Sequence, residues 1–284
     1  MTTTHKPLLA GRPVNRIGFG AMQLEKAPHA VGLLREARDA GVDHIDTAQF
    51  YDGVNTLIRD ALAPYPDNLV LATKVGAERD AAGQLIPAQR PEQLRAQVEA
   101  NLNELGADSV AVVNLRRLDT PPGIIAESDQ LVDLDSQLVE LSALRDAGKV
   151  AAIGLSNVSE TQLQQALPAG IACVQNSYSV LDRSAEPVLD LCAKHGIAWV
   201  PFFPLGSAFE RLPSVADDPT VRAIASELGA TPSQVGLAWL LQHYENTLLI
   251  PGTSNPVHLK ENLAAGELRL GAGAIERLKA RSAA

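Results

Sequence analysis

One pattern recurs along almost the whole sequence: a short apolar run is followed by a segment whose apolar residues have helical spacing. The runs are apolar on both faces and partly β-branched, which is typical of parallel strands that are covered on both sides. Eight such runs occur, at residues 16–20, 42–46, 69–74, 110–115, 151–155, 171–175, 197–202 and 247–250. Strands and helices in this alternation predict an α/β fold, a (β/α)8 TIM barrel.

The segments between the runs carry the patterns of amphipathic helices. Pro91 stands where a first helical residue is expected, and Gly106 follows the end of the same segment. Residues 231–234, Thr-Pro-Ser-Gln, predict a capping box with proline at the first helical position. Apolar residues fall on one helical stripe at residues 57–62, 94–105 and 134–144.

An open, doubly wound sheet is the alternative fold for this alternation. It usually carries a glycine-rich dinucleotide turn near its start, and residues 18–23, Gly-Phe-Gly-Ala-Met-Gln, lack the third small residue of that turn. The barrel is therefore favoured. Residues 8–14 precede the first run and predict a short N-terminal hairpin that caps the bottom of the barrel. Because no low-complexity linker divides the chain, we expect a single domain over residues 1–284.

Charge and cysteine content argue against several classes of partner and scaffold. Lys and Arg number 24 against 33 Asp and Glu, a formal net charge of −9 with no basic run, so nucleic acid and anionic membranes are not expected partners. No apolar stretch approaches the roughly 18 residues of a membrane span, and the N-terminus lacks the apolar core of a secretory signal. The two cysteines, Cys173 and Cys192, fit buried apolar positions better than a disulfide scaffold or zinc site. We expect a cytosolic, monomeric protein that acts on a small molecule.

Polar side chains stand at the expected ends of seven strands. In a (β/α)8 barrel the carboxyl ends of the strands and the loops after them meet at one mouth, where the chemistry takes place. A single polar residue at a strand end is usually a cap or a solvated surface group, but seven such ends together predict a site. The segments concerned are 46–51, 72–74, 114–117, 154–157, 175–178, 201–207 and 250–254.

Asp46, Tyr51 and Lys74 form a chemically sensible set among these residues. A free phenol, with a reference pKa of about 10, holds its proton too tightly to exchange it readily at neutral pH. A nearby ammonium favours the phenolate, and a carboxylate holds that ammonium in place and keeps it charged. The set predicts that Tyr51 is a general acid for a carbonyl oxygen, a role worth about 10²–10⁴ in rate. The alternative is a rim tyrosine beside an ordinary surface ion pair.

Several short segments occur in order along nearly the whole chain. They are Asp46-Thr-Ala-x-x-Tyr51, Lys74 after the third strand, Gly154-Leu-Ser156-Asn157, Gln175-x-x-Tyr178, Pro204-Leu-Gly206, and Ile250-Pro-Gly-Thr-Ser254 with Glu261-Asn262. Together they resemble the aldo-keto reductase family. The resemblance implies an NADPH-dependent reduction of an aldehyde or ketone on a (β/α)8 barrel, with Tyr51 as the proton donor and Lys74 and Asp46 tuning it.

The resemblance also implies which residues hold the nicotinamide ring. Ser156, Asn157 and Gln175 are expected to hydrogen-bond its carboxamide, and Tyr178 is expected to stack on the ring. Amide and hydroxyl side chains suit this task because each supplies both a donor and an acceptor. An aromatic face suits stacking.

The remaining matches are implied to hold the rest of NADPH. The loop of Leu205, Gly206 and Ser207 is expected to lie along the pyrophosphate. The family often places an arginine where this chain has His258, which softens the preference for NADPH over NADH; the alternative for His258 is a solvated helix residue. The residues implied around the 2′-phosphate and adenine are Gly252, Thr253, Ser254, His258, Glu261 and Asn262, and Gly20, Met22, Asp46 and Ile250 complete the cofactor-binding set.

The sequence departs from the family at the end of the fourth strand, where most members carry a histidine. Arg116 stands at that place, and none of the six histidines can substitute locally. Arginine keeps its charge in proteins and so cannot shuttle protons, but it can stabilise an oxyanion or grip an anionic substrate group. The alternative is that Arg116 pairs with Asp119 or Asp46 and leaves Tyr51 alone for the chemistry.

Further segments narrow the resemblance: residues 18–24, the Asn-Leu-Arg of 114–116, 200–206 and 238–242. They are similar to the bacterial pyridoxal reductase branch of the family. That branch implies the reduction of pyridoxal to pyridoxine with NADPH. Pyridoxal carries a phenolate oxygen at neutral pH, which suits an arginine near its aldehyde.

Two other functions stay open at this stage. Some barrels of the family are cofactor-binding sensors attached to a membrane channel, and the missing histidine is compatible with slow chemistry. The same site also catalyses oxidation, for example of a sugar or polyol, because metabolite ratios decide the direction. Turnover with saturating NADPH across a panel of aldehydes distinguishes an enzyme from a sensor.

Overall fold

The structure is a computed structural model that describes residues 6–206 and 212–281. Ser207, one of the predicted pyrophosphate-binding residues, lies outside the described residues. The strands are β1 (Leu8–Leu9), β2 (Arg12–Pro13), β3 (Phe19–Gly20), β4 (His44–Asp46), β5 (Val70–Val75), β6 (Ala77–Arg79), β7 (Leu85–Pro87), β8 (Val110–Arg116), β9 (Val150–Ser156), β10 (Ile171–Gln175) and β11 (Ala198–Trp199). The α-helices are α1 (Ala30–Asp39), α2 (Val54–Leu62), α3 (Pro91–Leu105), α4 (Leu134–Asp146), α5 (Glu160–Ala166), α6 (Glu186–His195), α7 (Pro219–Leu228), α8 (Pro232–His243), α9 (Pro256–Ala264) and α10 (Ala272–Lys279).

A parallel sheet of seven strands curls into the barrel. Its order is β3-β4-β5-β8-β9-β10-β11. The chain before α9 closes the circle, because Thr247 bridges Trp199 of β11 and Leu249 bridges Ile17 just before β3. On the β3 side, the Leu249 amide donates to the Arg16 carbonyl oxygen at 2.8 Å. The predicted (β/α)8 barrel is therefore confirmed.

The eighth predicted strand, at residues 247–250, is present only as isolated bridges. Pro251 follows it directly, and proline lacks the N–H that would continue the ladder of hydrogen bonds. The first and seventh strands are also shorter than their apolar runs, with two residues each in β3 and β11. The barrel thus closes through its shortest pairings.

Two hairpins accompany the barrel. β1 and β2 pair antiparallel, as predicted. Leu9 and Val14 are buried in one cluster with Val70, the first residue of β5, so this hairpin closes the amino-terminal end of the barrel. β6 and β7 form a second hairpin directly after β5. The sequence did not predict it, because Glu78 and Arg79 interrupt any apolar alternation.

The helix boundaries follow the local sequence. α3 begins at Pro91 and is followed by Gly106 with a φ of 64°, a left-handed conformation that glycine adopts without strain. The capping box before α8 is present, since Thr231 and Gln234 each accept a hydrogen bond from the other's backbone N–H. The apolar stripes of α3 and α4 are buried at Leu94, Val98, Leu102, Leu105, Leu134, Leu138, Leu141 and Leu144.

Both cysteines are buried free thiols, as expected. Burial raises the pKa of the Cys173 thiol, and it raises that of Cys192 to about 12. Neither thiol is therefore a ready nucleophile. Across the two described ranges, no helix combines the length and apolar character needed to cross a bilayer.

Candidate active site

The polar residues predicted at the strand ends lie together at the carboxyl-terminal mouth of the barrel. Asp46 ends β4, Arg116 ends β8, Ser156 ends β9 and Gln175 ends β10, and Lys74 is the last residue but one of β5. Parallel strands bring their carboxyl ends to one edge of the sheet. Five strands that are distant in the chain therefore deliver these side chains to one place.

A buried ion pair occupies the centre of this mouth. Lys74 Nζ donates to Asp46 Oδ1 and, at 3.2 Å, to the carbonyl oxygen of Thr47. The Lys74 and Asp46 side chains are 6% and 5% exposed. Burial acts to lower the pKa of Lys74, but the Asp46 carboxylate, helped by Tyr51, outweighs burial and holds that pKa above its ordinary value. Lys74 is therefore a fixed cation.

Tyr51 lies beside this ion pair, in the loop between β4 and α2. Lys74 Nζ is 5.3 Å from the centroid of the Tyr51 ring. The ring packs edge-on against Phe50, with the centroids 5.2 Å apart. Tyr51 is half-buried and lines an open cleft together with Lys74 and Arg116. The phenol is therefore open to the cleft, with the Lys74 ammonium beside its ring.

A chain of buried polar side chains lies behind the ion pair, between the sheet and helices α2 and α3. Thr47 Oγ1 donates to Asn55 Oδ1 at 2.8 Å, and Asn55 Nδ2 donates to Asn101 Oδ1 at 3.0 Å. Thr73 Oγ1 donates to the same Asn101 oxygen at 2.5 Å. Each threonine is the chain neighbour of one member of the ion pair. Because strand side chains alternate, the charged groups face the barrel while the hydroxyls anchor the strand ends to the helices.

Among the buried polar atoms at the mouth that have no partner within the described residues, two lie on neighbouring strands. They are Ser156 Oγ and Gln175 Oε1, on residues that face each other in the register of β9 and β10. Gln175 uses its amide nitrogen to donate to Asp46 Oδ2 at 2.7 Å. Leaving a buried polar group unpaired costs free energy. The unpaired hydroxyl and carbonyl oxygens therefore fit a ligand amide, which supplies both a donor and an acceptor.

Asn157 uses its amide nitrogen within the protein. Its φ is 58°, a left-handed conformation in which asparagine is enriched. Its Nδ2 donates to the carbonyl oxygens of Arg117 at 3.2 Å and Thr120 at 2.8 Å. The side chain thus anchors the loop after β8 to the end of β9.

Arg116 brings a second positive charge to the cleft wall. Its Nη2 donates to the carbonyl oxygen of Pro122 at 2.9 Å, and its guanidinium carbon is 5.7 Å from the centroid of the Phe202 ring. The sequence left open a pairing of Arg116 with Asp119. In the structure Arg117 donates to both Asp119 oxygens, at 2.7 and 2.8 Å.

The cleft has a volume of about 380 Å³ and extends from Tyr51 to α9. Two glycines let its walls meet: a Cβ on Gly20 would lie 2.3 Å from the Ile250 carbonyl oxygen, and one on Gly252 would lie 2.5 Å from the Gly20 carbonyl oxygen. The predicted cofactor-binding residues that line the cleft are Gly20, Met22, Asp46, Leu205, Gly206, Ile250, Gly252, Thr253, His258, Glu261 and Asn262.

Some lining residues were not predicted as site residues. Phe202 and Phe203 place two aromatic rings in the cleft wall, edge to face with centroids 5.1 Å apart. Thr231 and Ser233 reach the cleft from the start of α8. The sequence marked these positions as a strand end and a capping box, but neither pattern shows that a side chain faces a ligand. Ser254, which was predicted to bind cofactor, is exposed at the surface.

The structure corrects the role predicted for Tyr178. This side chain is fully buried: its ring stacks on Trp239 and packs edge-on against Trp199, with centroid distances of 6.1 and 5.6 Å. Its hydroxyl donates to Glu186. A ring enclosed in this way has no free face for a coenzyme. Phe202 is an aromatic residue that does face the cleft.

A half-buried phenol lies beside a buried Lys–Asp pair in an open cleft. The cleft is at the carboxyl-terminal mouth of a (β/α)8 barrel, the end at which enzymes of this fold carry their active sites. The sequence profile of the Aldo/keto reductase family matches residues 16–282. The chain belongs to the aldo/keto reductase family. It is an oxidoreductase that acts on carbonyl or CH–OH groups.

Similarities to individual proteins support the assignment of the chain to this family. The chain is 44% identical over 274 residues to the pyridoxine 4-dehydrogenase of Escherichia coli (strain K12), with 92% of this chain and 93% of that protein covered. It resembles the crystal structure of a thermostable aldo-keto reductase in complex with the inhibitor epalrestat, with a TM-score of 0.79, 26% identity and coverage of 97% and 98%. An aldo-keto reductase from Klebsiella pneumoniae in complex with NADPH shares the fold, with a TM-score of 0.80, 23% identity and coverage of 98% and 96%.

Proposed function

We propose that the chain reduces a small aldehyde, with Tyr51 as the proton donor and NADPH as the source of hydride. The observation that carries this proposal is the position of Tyr51, in the cleft lining and beside the Lys74 ammonium. Tyr51 is the single acid of this scheme. Arg116 keeps its proton and contributes positive charge alone.

Lys74 and Asp46 act through Tyr51. The ammonium stabilises the phenolate that remains after the proton has left. Asp46 orients that ammonium through direct contact, and Gln175 holds the second carboxylate oxygen. With its charged neighbours held in this way, the Tyr51 hydroxyl gives its proton to the carbonyl oxygen as negative charge develops there.

The unpaired oxygens of Ser156 and Gln175 support a nicotinamide coenzyme, because its carboxamide offers the donor and acceptor that they lack. When bound, the coenzyme supplies the hydride. Phe202 offers the aromatic face that was expected of Tyr178. The rest of the coenzyme would be held along the cleft by Leu205, Gly206, Thr253, His258, Glu261 and Asn262.

The proposed substrate is pyridoxal, which is reduced to pyridoxine. Its aldehyde neighbours a ring oxygen that is negatively charged at neutral pH, and Arg116 supplies a fixed positive charge at the cleft wall. The Escherichia coli relative is named as a dehydrogenase of pyridoxine. Since one site catalyses both directions, that name supports the same pair of compounds for this chain.

Replacing the proton donor tests the proposal. Tyr51→Phe is expected to lower kcat for pyridoxal by a factor of about 10²–10⁴, because only the acid is removed. NADPH binding, followed by quenching of tryptophan fluorescence, should change little. Tyr65→Phe is the matched control, since it removes a hydroxyl that donates to the Leu105 carbonyl oxygen instead of facing the cleft. This control should keep its turnover.

Two outcomes would contradict the proposal in different ways. Full turnover in Tyr51→Phe would remove the proton-donor role of this residue. A wild-type protein that binds NADPH but reduces no aldehyde of a panel would support the sensor function instead.

A further inference from the structure

A buried glutamine bridges the two strands that carry Lys74 and Arg116, at the point where their pairing stops. β5 pairs with β8 only as far as Val75. Gln89 Nε2 then donates to the carbonyl oxygens of Gly76 at 2.6 Å and Arg116 at 2.8 Å. Gln89 is 1% exposed. One side-chain amide therefore continues the connection that the backbone ladder no longer makes.

The space at this point admits glycine alone. Gly76 has a φ of 111°, a conformation that L side chains rarely adopt. A Cβ on Gly76 would lie 2.4 Å from the Arg116 carbonyl oxygen and 2.7 Å from Gln89 Nε2. Gly76, the Gln89 amide and the Arg116 carbonyl oxygen are thus already in close contact. The position of the Arg116 backbone therefore depends on the Gln89 side chain.

Gln89 is itself fixed by its neighbours. Gln137, on α4, donates from Nε2 to the Gln89 carbonyl oxygen at 2.7 Å and to Gln89 Oε1 at 3.1 Å. The Gln89 backbone N–H donates to Gln130 Oε1 at 2.7 Å. Both polar atoms of the Gln89 side chain are thus hydrogen-bonded, which makes its burial tolerable and its orientation rigid.

We propose that Gln89 is a positioning residue that sets the Arg116 guanidinium for an anionic oxygen of the substrate. The inference rests on the proposed reduction of pyridoxal. Gln89 fixes the backbone from which the Arg116 side chain starts, and the Pro122 carbonyl oxygen holds its far end at 2.9 Å. Gln89 thereby favours aldehydes with a neighbouring negative charge over neutral ones.

The test compares kcat/KM for pyridoxal with kcat/KM for neutral 4-nitrobenzaldehyde, both with NADPH. Gln89→Met keeps the length of the side chain and removes the amide. We expect this variant to lower the substrate ratio, kcat/KM for pyridoxal divided by kcat/KM for 4-nitrobenzaldehyde, by about tenfold to a hundredfold. That is the effect of losing a hydrogen bond to a charged group, here the bond from Arg116 to the anionic substrate oxygen. Arg116→Met should lower the ratio to a similar extent, and the double variant should lower it no further.

Gln97→Met is the matched control. Gln97 is also buried, accepts from the Gly76 N–H at 2.7 Å and donates to the Ala88 carbonyl oxygen at 3.2 Å. It therefore supports the same segment without a described hydrogen bond to Arg116. Gln97→Met should lower the melting temperature about as much as Gln89→Met and leave the substrate ratio unchanged.

An unchanged ratio in Gln89→Met, an equal change in Gln97→Met, or additive effects in the double variant would each overturn the inference. If Gln89→Met does not fold, Gln89→Asn keeps the amide but shortens its reach, and the same ratio decides. A wild-type protein that reduces neither aldehyde would overturn the proposed function and this inference with it. If the wild type is active and Gln89→Met has the same substrate ratio, this inference alone is overturned.

Discussion

At the scale of single residues, the geometry of the candidate site depends on the buried contact between Asp46 and Lys74. Both charges are almost fully removed from water, and each would be costly to bury without the other. Gln175 donates to the carboxylate from one side. The polar chain from Thr47 to Thr73 anchors the strand ends on the other side of the sheet. The geometry at Tyr51 thus depends in part on residues that do not line the cleft, such as Thr47 and Thr73.

Breaking this ion pair should cost more than removing both of its charges. Lys74→Met leaves the Asp46 carboxylate buried without its cation, so we expect a loss of about 3–5 kcal/mol in the free energy of unfolding. Lys74→Met combined with Asp46→Asn leaves no buried charge and should lose less. Urea unfolding measures both values. A double variant that is less stable than Lys74→Met would contradict this account of the pair.

At the scale of elements, single hydrogen bonds connect helix ends to their neighbours. Tyr65, between α2 and β5, donates to the carbonyl oxygen of Leu105 at 2.6 Å. Leu105 is the last residue of α3, where carbonyl groups lack partners within the helix. Burial disfavours the phenolate and raises the pKa of Tyr65 to about 12. The folded protein therefore holds this hydroxyl in its neutral form.

This contact should make folding stability sensitive to alkaline pH. An unfolded tyrosine loses its proton near pH 10, whereas folded Tyr65 keeps it until about pH 12. The stabilisation is complete below the lower value and decreases as the pH rises through the window. The stability difference between the wild type and Tyr65→Phe should be constant below about pH 10 and should shrink from there to about pH 12. Denaturant unfolding checks this, and a difference that stays constant up to about pH 12 would contradict it.

At the scale of the whole molecule, the barrel closes where its pairing is sparsest. β8 and β9 pair from Val110 to Arg116, whereas residues 247–249 reach their neighbours only through bridges. Arg16 reinforces this seam, donating from Nη2 to the Tyr244 carbonyl oxygen at 2.8 Å. The proposed coenzyme cleft is built across the same seam, because the residues around Gly20 and Gly252 form part of its wall.

Amide hydrogen exchange should therefore be fastest among the strands at this seam. Local opening there breaks few hydrogen bonds, so the Gly18 and Leu249 amides should exchange before those of Val113 and Leu115 in β8. Added NADPH should slow exchange at the seam and leave β8 unchanged. Exchange measured residue by residue tests both points. Equal protection of the seam and of β8 would contradict the first of them.

Much of the architecture was predictable because it depends on patterns that are local in the chain. Short apolar runs indicated the strands, and Pro91 and Gly106 bounded a helix. The order of the strands placed Asp46 and Lys74 at one mouth, since parallel strands share the direction of their ends. Residues 77–87 were missed because their hairpin has no apolar alternation.

The sequence by itself determined the barrel and the set of polar residues at its mouth, because period and strand direction follow from neighbouring residues. Only the tertiary structure decided which way side chains turn once the strands have ended. Tyr178 packs into the core, Asn157 anchors a loop, and Phe202 faces the cleft. Gln89 meets Arg116 across 27 positions of the chain. Such contacts depend on the packing of distant elements against each other, which no local pattern encodes.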